Sequence, residues 1–566
     1  MRRTLTLLLL VFAAALPAQI VSHPMVPMRD GVKLAADVYL PLPGWSRYPV
    51  VLVRTPYGKG SMSTIGFTLA LDGYAAVFQD TRGHGGSQGE PSMFTTEAED
   101  GYDTVEWVAA QGWSNGKIGS FGASALGINQ YLTAGEAPPH LTCMFVGVAT
   151  PDLHEHLVYP GGCYRKFDVE SWAEGNDETA GLALALLHPV RDLYWDPLDL
   201  DGKYERVTVP TIHVGGWYDL MAEGTVKAFK AMARRSQARA GQMLVMGPWT
   251  HGGQGNAAQG ELLYPLDSTP DWLEDLTVEW LDYHLKGRGS DPAASGPVRL
   301  YAMGDVIVPS EDWNAWRFYD AFPEPAGQAA WFLRADGTLS EERGGAGQSL
   351  AFTSDPSNPV PTIGGANLVL DAGPFDQAAL PDREDVLAFA SPVLTEAVEV
   401  LGAVTARLYL SADVTDLDAA ARLVDVYPDG RWMLVADGIQ KARFREGAER
   451  EVFVEPGKVF SLDVKIGTTH YVFAPGHRIA CIVSGSNYPR FDMNPQTGEP
   501  VNTATGSRPA RIALQLSDRH PSRLLLPLPQ AAAHGRPLPV PAAGSAGDRL
   551  WVRRLLSGPG GVPQGR

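Results

Sequence analysis

Hydrophobic positions in the first half of the chain gather into short runs, continuous at 49–53 and 74–78 and recurring at 118–121, 141–146, 210–214 and 243–246. Runs of this length without a polar face predict strands of a parallel sheet covered on both sides. Between them the spacing turns helical. Tyr102, Val105, Val108 and Ala109 share a face of an acidic segment, and Leu273, Leu276, Trp280 and Tyr283 do the same over 271–286. Alternating strands and helices predict an open α/β sheet. An alternating stretch over 32–40, after Asp30-Gly31, predicts a hairpin strand ahead of it.

Past about Trp313 the period changes to two. Val404, Ala406, Leu408 and Leu410 alternate with Thr405, Arg407, Tyr409 and Ser411; Phe460, Leu462, Val464 and Ile466 alternate with Ser461, Asp463 and Lys465. With turns at Asp429-Gly430 and Pro475-Gly476, this region predicts an antiparallel sandwich. The strand pattern also stops between Pro151 and Arg206, where an aromatic, helix-like stretch predicts an insertion over the sheet edge. The chain therefore divides into a sheet built from 22–150 and 207–312, a helical cap at 151–206, and a sandwich at 313–529. Residues 530–566, rich in Pro, Ala and Gly without periodicity, read as a poorly ordered tail.

The N-terminus changes the picture of where the protein works. Met1-Arg2-Arg3, an apolar run to Leu16 and small residues from Ala13 to Ala18 have the three parts of a secretory signal over 1–18. The run is shorter than the roughly 20 apolar residues of a membrane span, so a secreted or periplasmic mature protein without a span is expected. A length of 566 residues exceeds a single core. The net charge of −18 argues against nucleic-acid or anionic-membrane partners, which need a basic patch. Cys143, Cys163 and Cys481 show no C-x-x-C spacing and read as buried thiols. His154 and His156 project about 200° apart on a helix, so no metal site is expected. No phosphate-binding Gly-Lys-Ser/Thr turn exists either. No cofactor is expected; a homo-oligomer is left open.

Candidate chemistry lies in the loops after the strands, where open α/β sheets place their sites. Gly122-Ala123-Ser124-Ala125-Leu126-Gly127 follows the run at 118–121 and opens a helix-like segment. A serine on such a turn is presented above the sheet edge as a nucleophile. The usual elbow has glycine two residues after the serine; here Leu126 holds that place and Gly127 follows. Gly215-Gly216-Trp217-Tyr218-Asp219 and Gly247-Pro248-Trp249-Thr250-His251 end two later strands. The order Ser124, Asp219, His251 is that of an α/β-hydrolase, with His251 as base and Asp219 as its orienting partner. Asp80 and Arg82, after the strand at 74–78, are read as bracing groups.

These motifs, with Pro56-Tyr57 after the first run, Asp425 to Gly430, Pro475-Gly476-His477 and Ser486-Asn487-Tyr488-Pro489, resemble the cocaine esterase and X-prolyl dipeptidyl peptidase group of serine hydrolases over about 25–529. The resemblance implies an α/β-hydrolase sheet with a helical cap and a C-terminal jelly roll. It also implies an oxyanion hole from the Tyr57 hydroxyl and the Ala125 backbone N–H. Ala125 departs from the tyrosine common there, which keeps the donor but alters the pocket wall. Leu220 and Met221, with Tyr159 and Trp172 of the cap, are the candidates for the substrate pocket. Relatives acting on α-amino esters carry carboxylates just after the catalytic aspartate, whereas here the first is Glu223, and Val158-Tyr159 supplies none. The reading is a secreted serine hydrolase acting on small carboxylic esters, with amides as a secondary substrate class. An X-prolyl aminopeptidase or α-amino ester hydrolase is the enzymatic alternative. An inactive or carbohydrate-binding envelope protein is the alternative of another class, and a fluorophosphonate probe separates it because only an activated serine reacts.

Overall fold

In the computed structural model the apolar runs of the first half lie side by side in one eleven-stranded sheet. The structure describes residues 20–529 and residue 552, apart from 43–45, 295, 309, 311, 346, 500 and 501. The expected signal at 1–18 and, Val552 apart, the expected tail at 530–566 lie outside the described residues. Across the sheet the strands are Ile20–Ser22, Lys33–Leu40, Ala75–Asp80, Tyr48–Thr55, Ser114–Ala123, Leu141–Gly147, Thr211–Tyr218, Gln242–Thr250, Val298–Ala302 and Ala315–Tyr319, with Met25–Pro27 on Lys33–Leu40. Every pairing from Ala75–Asp80 to Val298–Ala302 is parallel, and the flanking strands are antiparallel. Helices Ala125–Gly135 and Ala222–Arg235 pack on the strands that precede them, and from Ile118 to Ala123 and from Thr211 to Tyr218 those strands are buried without interruption.

The sheet runs further than the boundary at 312. Ala315–Tyr319 pairs antiparallel with Val298–Ala302, with Val298 opposite Tyr319. Trp316 and Phe318 are buried and their neighbours are not. An edge strand has the same period of two as a sandwich strand, and so it reads as part of the wrong domain. The sandwich proper follows as a seven-stranded and a four-stranded sheet. Its two clearest alternating runs pair with each other. Val398–Ala412 sets Leu410, Leu408 and Ala406 opposite Phe460, Leu462 and Val464, with a bulge after Val404. The cap holds helices Lys166–Gly175 and Thr179–Ala185 among shorter turns. Buried Asp152 pairs within the cap with Arg191 at 2.9 Å and ties the cap to the sheet layer through Lys227 at 2.8 Å. All three cysteines are buried, unpaired thiols.

A buried histidine joins sandwich to sheet. His477 Nδ1 lies 2.9 Å from Asp425 Oδ1 and its Nε2 3.4 Å from Asp305 Oδ2, while Tyr471 donates to Asp425 at 2.8 Å. Burial lowers the proton affinity of His477, but the hydrogen bond and charge of Asp425, helped by Asp305, outweigh it and raise its pKa. A raised folded-state value gives stability that is complete below the unfolded value of about 6.5 and is lost as pH rises through the folded one. His477→Gln is therefore expected to lower the melting temperature most at mildly acidic pH, with the gap to wild type narrowing above neutrality. A gap that stays constant with pH would exclude a charged clamp.

Candidate active site

Ser124 stands between the strand Ser114–Ala123 and the helix Ala125–Gly135, at φ 59° and ψ −126°. Side-chain-bearing residues rarely adopt this backbone, and the strain is held by the packed strand and helix on either side. The late glycine has a steric cause. A Cβ on Gly127 would lie 2.6 Å from Ala149 Cβ and 3.0 Å from the Gly147 carbonyl, where the helix crosses the end of the neighbouring strand. Leu126, at the place glycine usually takes, is buried.

The next two strands deliver the acid and the histidine. Sequence alone suggests loops at 215–219 and 247–251, but the strands stay paired to Tyr218 opposite Thr250, with a register shift after Gly216. A Cβ on Gly216 would sit 2.0 Å from the Trp249 carbonyl, so only glycine lets the strand ends close to this distance. Asp219 and His251 follow directly. Asp219 is buried; its Oδ1 accepts the Met221 N–H at 2.7 Å and its Oδ2 lies 2.5 Å from His251 Nδ1. His251 Nε2 lies 2.9 Å from Ser124 Oγ. Gln259, which no sequence pattern singles out, anchors the histidine loop. Its Oε1 accepts the Thr250 N–H at 2.9 Å, and its Nε2 donates to the Gly253 and Asn256 carbonyls at 2.9 and 2.6 Å.

Two groups beside the serine are able to donate. The Tyr57 hydroxyl is near enough to Ser124 to feel it and accepts the Trp172 indole N–H at 3.0 Å. Burial raises the Tyr57 pKa against the opposing pull of Trp172 and Ser124, so the phenol remains protonated and able to donate at neutral pH. Asp80 fixes this loop by accepting the Lys59 N–H at 2.6 Å and the Gly86 N–H at 2.9 Å. Ala125 is the first residue of its helix, where the N–H has no intrahelical acceptor and the helix dipole favours negative charge.

A narrow, mostly apolar cavity opens beside Ser124 and Ala125, and Trp172, Leu220 and Met221 are in its wall. Trp172 stacks on Phe94, with ring centroids 5.3 Å apart. Tyr159 is a correction: it is not in this wall. Its ring packs among His154, Tyr164 and Trp195 inside the cap, and its hydroxyl accepts from Asn502 of the sandwich at 2.8 Å. Its polar end thus finds a partner away from the serine. Glu223 bonds Thr468, at 3.0 Å to the hydroxyl, and Glu155 pairs with Lys465 at 2.6 Å. Both acids are held at the sandwich. The carboxylate in the cavity wall is instead Asp168 of the cap.

A serine presented on a strand-to-helix turn of this sheet, hydrogen-bonded to a histidine and facing two donors, places the protein among the α/β-hydrolase-fold serine hydrolases. The model of the X-Pro dipeptidyl-peptidase (S15 family) matches residues 30–184 and 174–253, and that of the X-Pro dipeptidyl-peptidase C-terminal non-catalytic domain matches 293–525. The chain is 32% identical over 578 residues to cocaine esterase of Rhodococcus sp. (strain MB1 Bresler), covering 90% of this chain and 98% of that one. A solved α-amino acid ester hydrolase superposes with a TM-score of 0.78 at 26% identity, over 90% of this chain and 96% of its own. An aminopeptidase from a marine sediment Thaumarchaeota archaeon shares the fold, with a TM-score of 0.77 at 24% identity over the same shares. The chain belongs to the S15 family of serine hydrolases, in its cocaine esterase (CocE/NonD) group.

Proposed function

We propose that the protein hydrolyses small carboxylic esters through an acyl-enzyme on Ser124, with amides of the same acids as a secondary class. The observation that carries this reading is the continuous hydrogen-bond chain from Ser124 Oγ through His251 to Asp219. Asp219 accepts the Nδ1 proton, so Nε2 carries the lone pair that takes the serine proton as Oγ attacks the ester carbonyl. The charge that develops on the carbonyl oxygen is met by the Tyr57 hydroxyl and the Ala125 N–H. His251 then returns the proton to the departing alkoxide, and a water attacking the acyl-enzyme repeats the sequence. The likeness to an enzyme named cocaine esterase supports ester chemistry. The apolar Leu220 and Met221 beside Asp219 speak for neutral acyl groups over α-amino acyl groups. A fluorophosphonate probe should label wild type on Ser124 and release no label to the histidine loop, and a panel of esters of graded acyl length should show turnover. Absence of both would remove the reading.

The N-terminal charged, apolar and small-residue segments support export with cleavage between Ala15 and Ala18. N-terminal sequencing of the protein recovered outside the cytoplasm is expected to read from a residue in 16–19; an intact Met1 there would rule the signal out.

A further inference from the structure

The cavity beside Ser124 is apolar except at Asp168. This carboxylate, 1% exposed on the cap helix Lys166–Gly175, uses Oδ1 to accept the Leu368 and Val369 N–H groups of the sandwich at 3.0 and 3.1 Å. Its Oδ2 is buried and has no hydrogen-bond partner among the described residues. An unmatched buried carboxylate oxygen is costly, and here it belongs to a residue in the wall of the cavity beside the nucleophile.

On the proposed reaction this cavity takes the acyl side of the ester, because its wall contains Ser124, which would keep the acyl group, and Ala125 at the helix start. No residue of the loop after His251 lines it, and the leaving group must depart past His251 to receive its proton. Asp168 has a cation in its neighbourhood. Arg165, buried and donating to the Leu220 carbonyl at 2.9 Å, is close enough that Asp168 acts on its charge. A substrate ammonium drawn to Asp168 would also feel that guanidinium behind the cavity wall, and like charges repel across a poorly solvated interior.

We infer that Asp168 Oδ2 accepts a hydrogen bond from a neutral donor on the acyl group, so that the preferred substrates are esters of 2-hydroxy acids or acids with a comparably placed hydroxyl. This rests on the ester hydrolysis proposed above. The donor adds a charge-assisted hydrogen bond that an unsubstituted acyl group cannot make.

The test compares methyl esters of phenylacetate, both mandelate enantiomers, their O-methyl ethers and phenylglycine, at a pH where the amine is protonated. Each kcat/KM is divided by the rate of hydroxide-catalysed hydrolysis, which removes the inductive effect of the substituent. One mandelate enantiomer should exceed both phenylacetate and its own methyl ether by about tenfold or more, with phenylglycine below it. In Asp168→Asn the remaining oxygen can keep the two backbone amides and the new NH₂ takes the place of Oδ2, so the mandelate-to-ether ratio should fall about tenfold. A ratio near one in wild type overturns the inference without any variant, as does an unchanged ratio in Asp168→Asn or a preference for phenylglycine. Brisk hydrolysis of all the esters without discrimination overturns Asp168 alone. Turnover of none of them, or turnover that survives Ser124→Ala, overturns the hydrolase reading and this inference with it.

Discussion

Ser124→Ala is expected to lower kcat for ester hydrolysis by about 10⁶ while the protein stays folded. The substitution removes one oxygen. That oxygen is the attacking atom, the 2.9 Å partner of His251 Nε2 and a neighbour of the Tyr57 hydroxyl. Alanine meets the same backbone demand at φ 59° as serine, so no new strain arises and the melting temperature should change little. The Tyr57 hydroxyl and the Ala125 N–H remain, and donors of this kind alone leave a residual acceleration of about 10³ to 10⁴ over water. Purified variant protein and a burst experiment on wild type give the measurement. Substantial turnover by Ser124→Ala, or fluorophosphonate labelling that persists in it, would sink the assignment.

Parts of this site that depend on local chain geometry were legible. A serine on a strand-to-helix turn, and an acid and a histidine at strand ends, each need only a few consecutive residues, and their order in the chain carries over directly. The parallel strands were legible because helices cover them and leave no polar face. The parts that depend on distant chain were not. Asp168 finds its amide partners 200 and 201 residues away, in the sandwich, and its own helix shows only that one face is apolar. Tyr159 is one of several cap aromatics, and only its contact with Asn502, 343 residues on, moves it from the pocket wall to the joint between cap and sandwich. Trp172 was legible as part of the wall, but its hydrogen bond to Tyr57 crosses 115 residues. Gln259 carries no pattern at all, since a glutamine in a polar loop looks the same whether or not it is buried.

Tyr57→Phe is expected to lower kcat by about 10² to 10³ with little change in KM. The ring survives, so packing in the loop after Tyr48–Thr55 is kept, and only the donor facing the serine is lost. The ground-state carbonyl gains little from that donor; the tetrahedral intermediate, with a full negative charge on its oxygen, gains much, and this difference places the effect in kcat. Trp172 supplies a check on how the hydroxyl is aimed. Its indole N–H occupies a lone pair of the Tyr57 oxygen at 3.0 Å, which leaves the phenolic proton free to turn toward Ser124. Trp172→Phe keeps an aromatic ring against Phe94 but frees the hydroxyl to rotate, and kcat should fall about tenfold, the loss typical of one neutral hydrogen bond. Because Trp172 acts through Tyr57 as a positioning residue, the double variant should be no slower than Tyr57→Phe alone. If the two losses multiply instead, Trp172 contacts the substrate on its own account. If Tyr57→Phe raises only KM, the tyrosine packs against the substrate and the Ala125 N–H at the helix start carries the oxyanion without it.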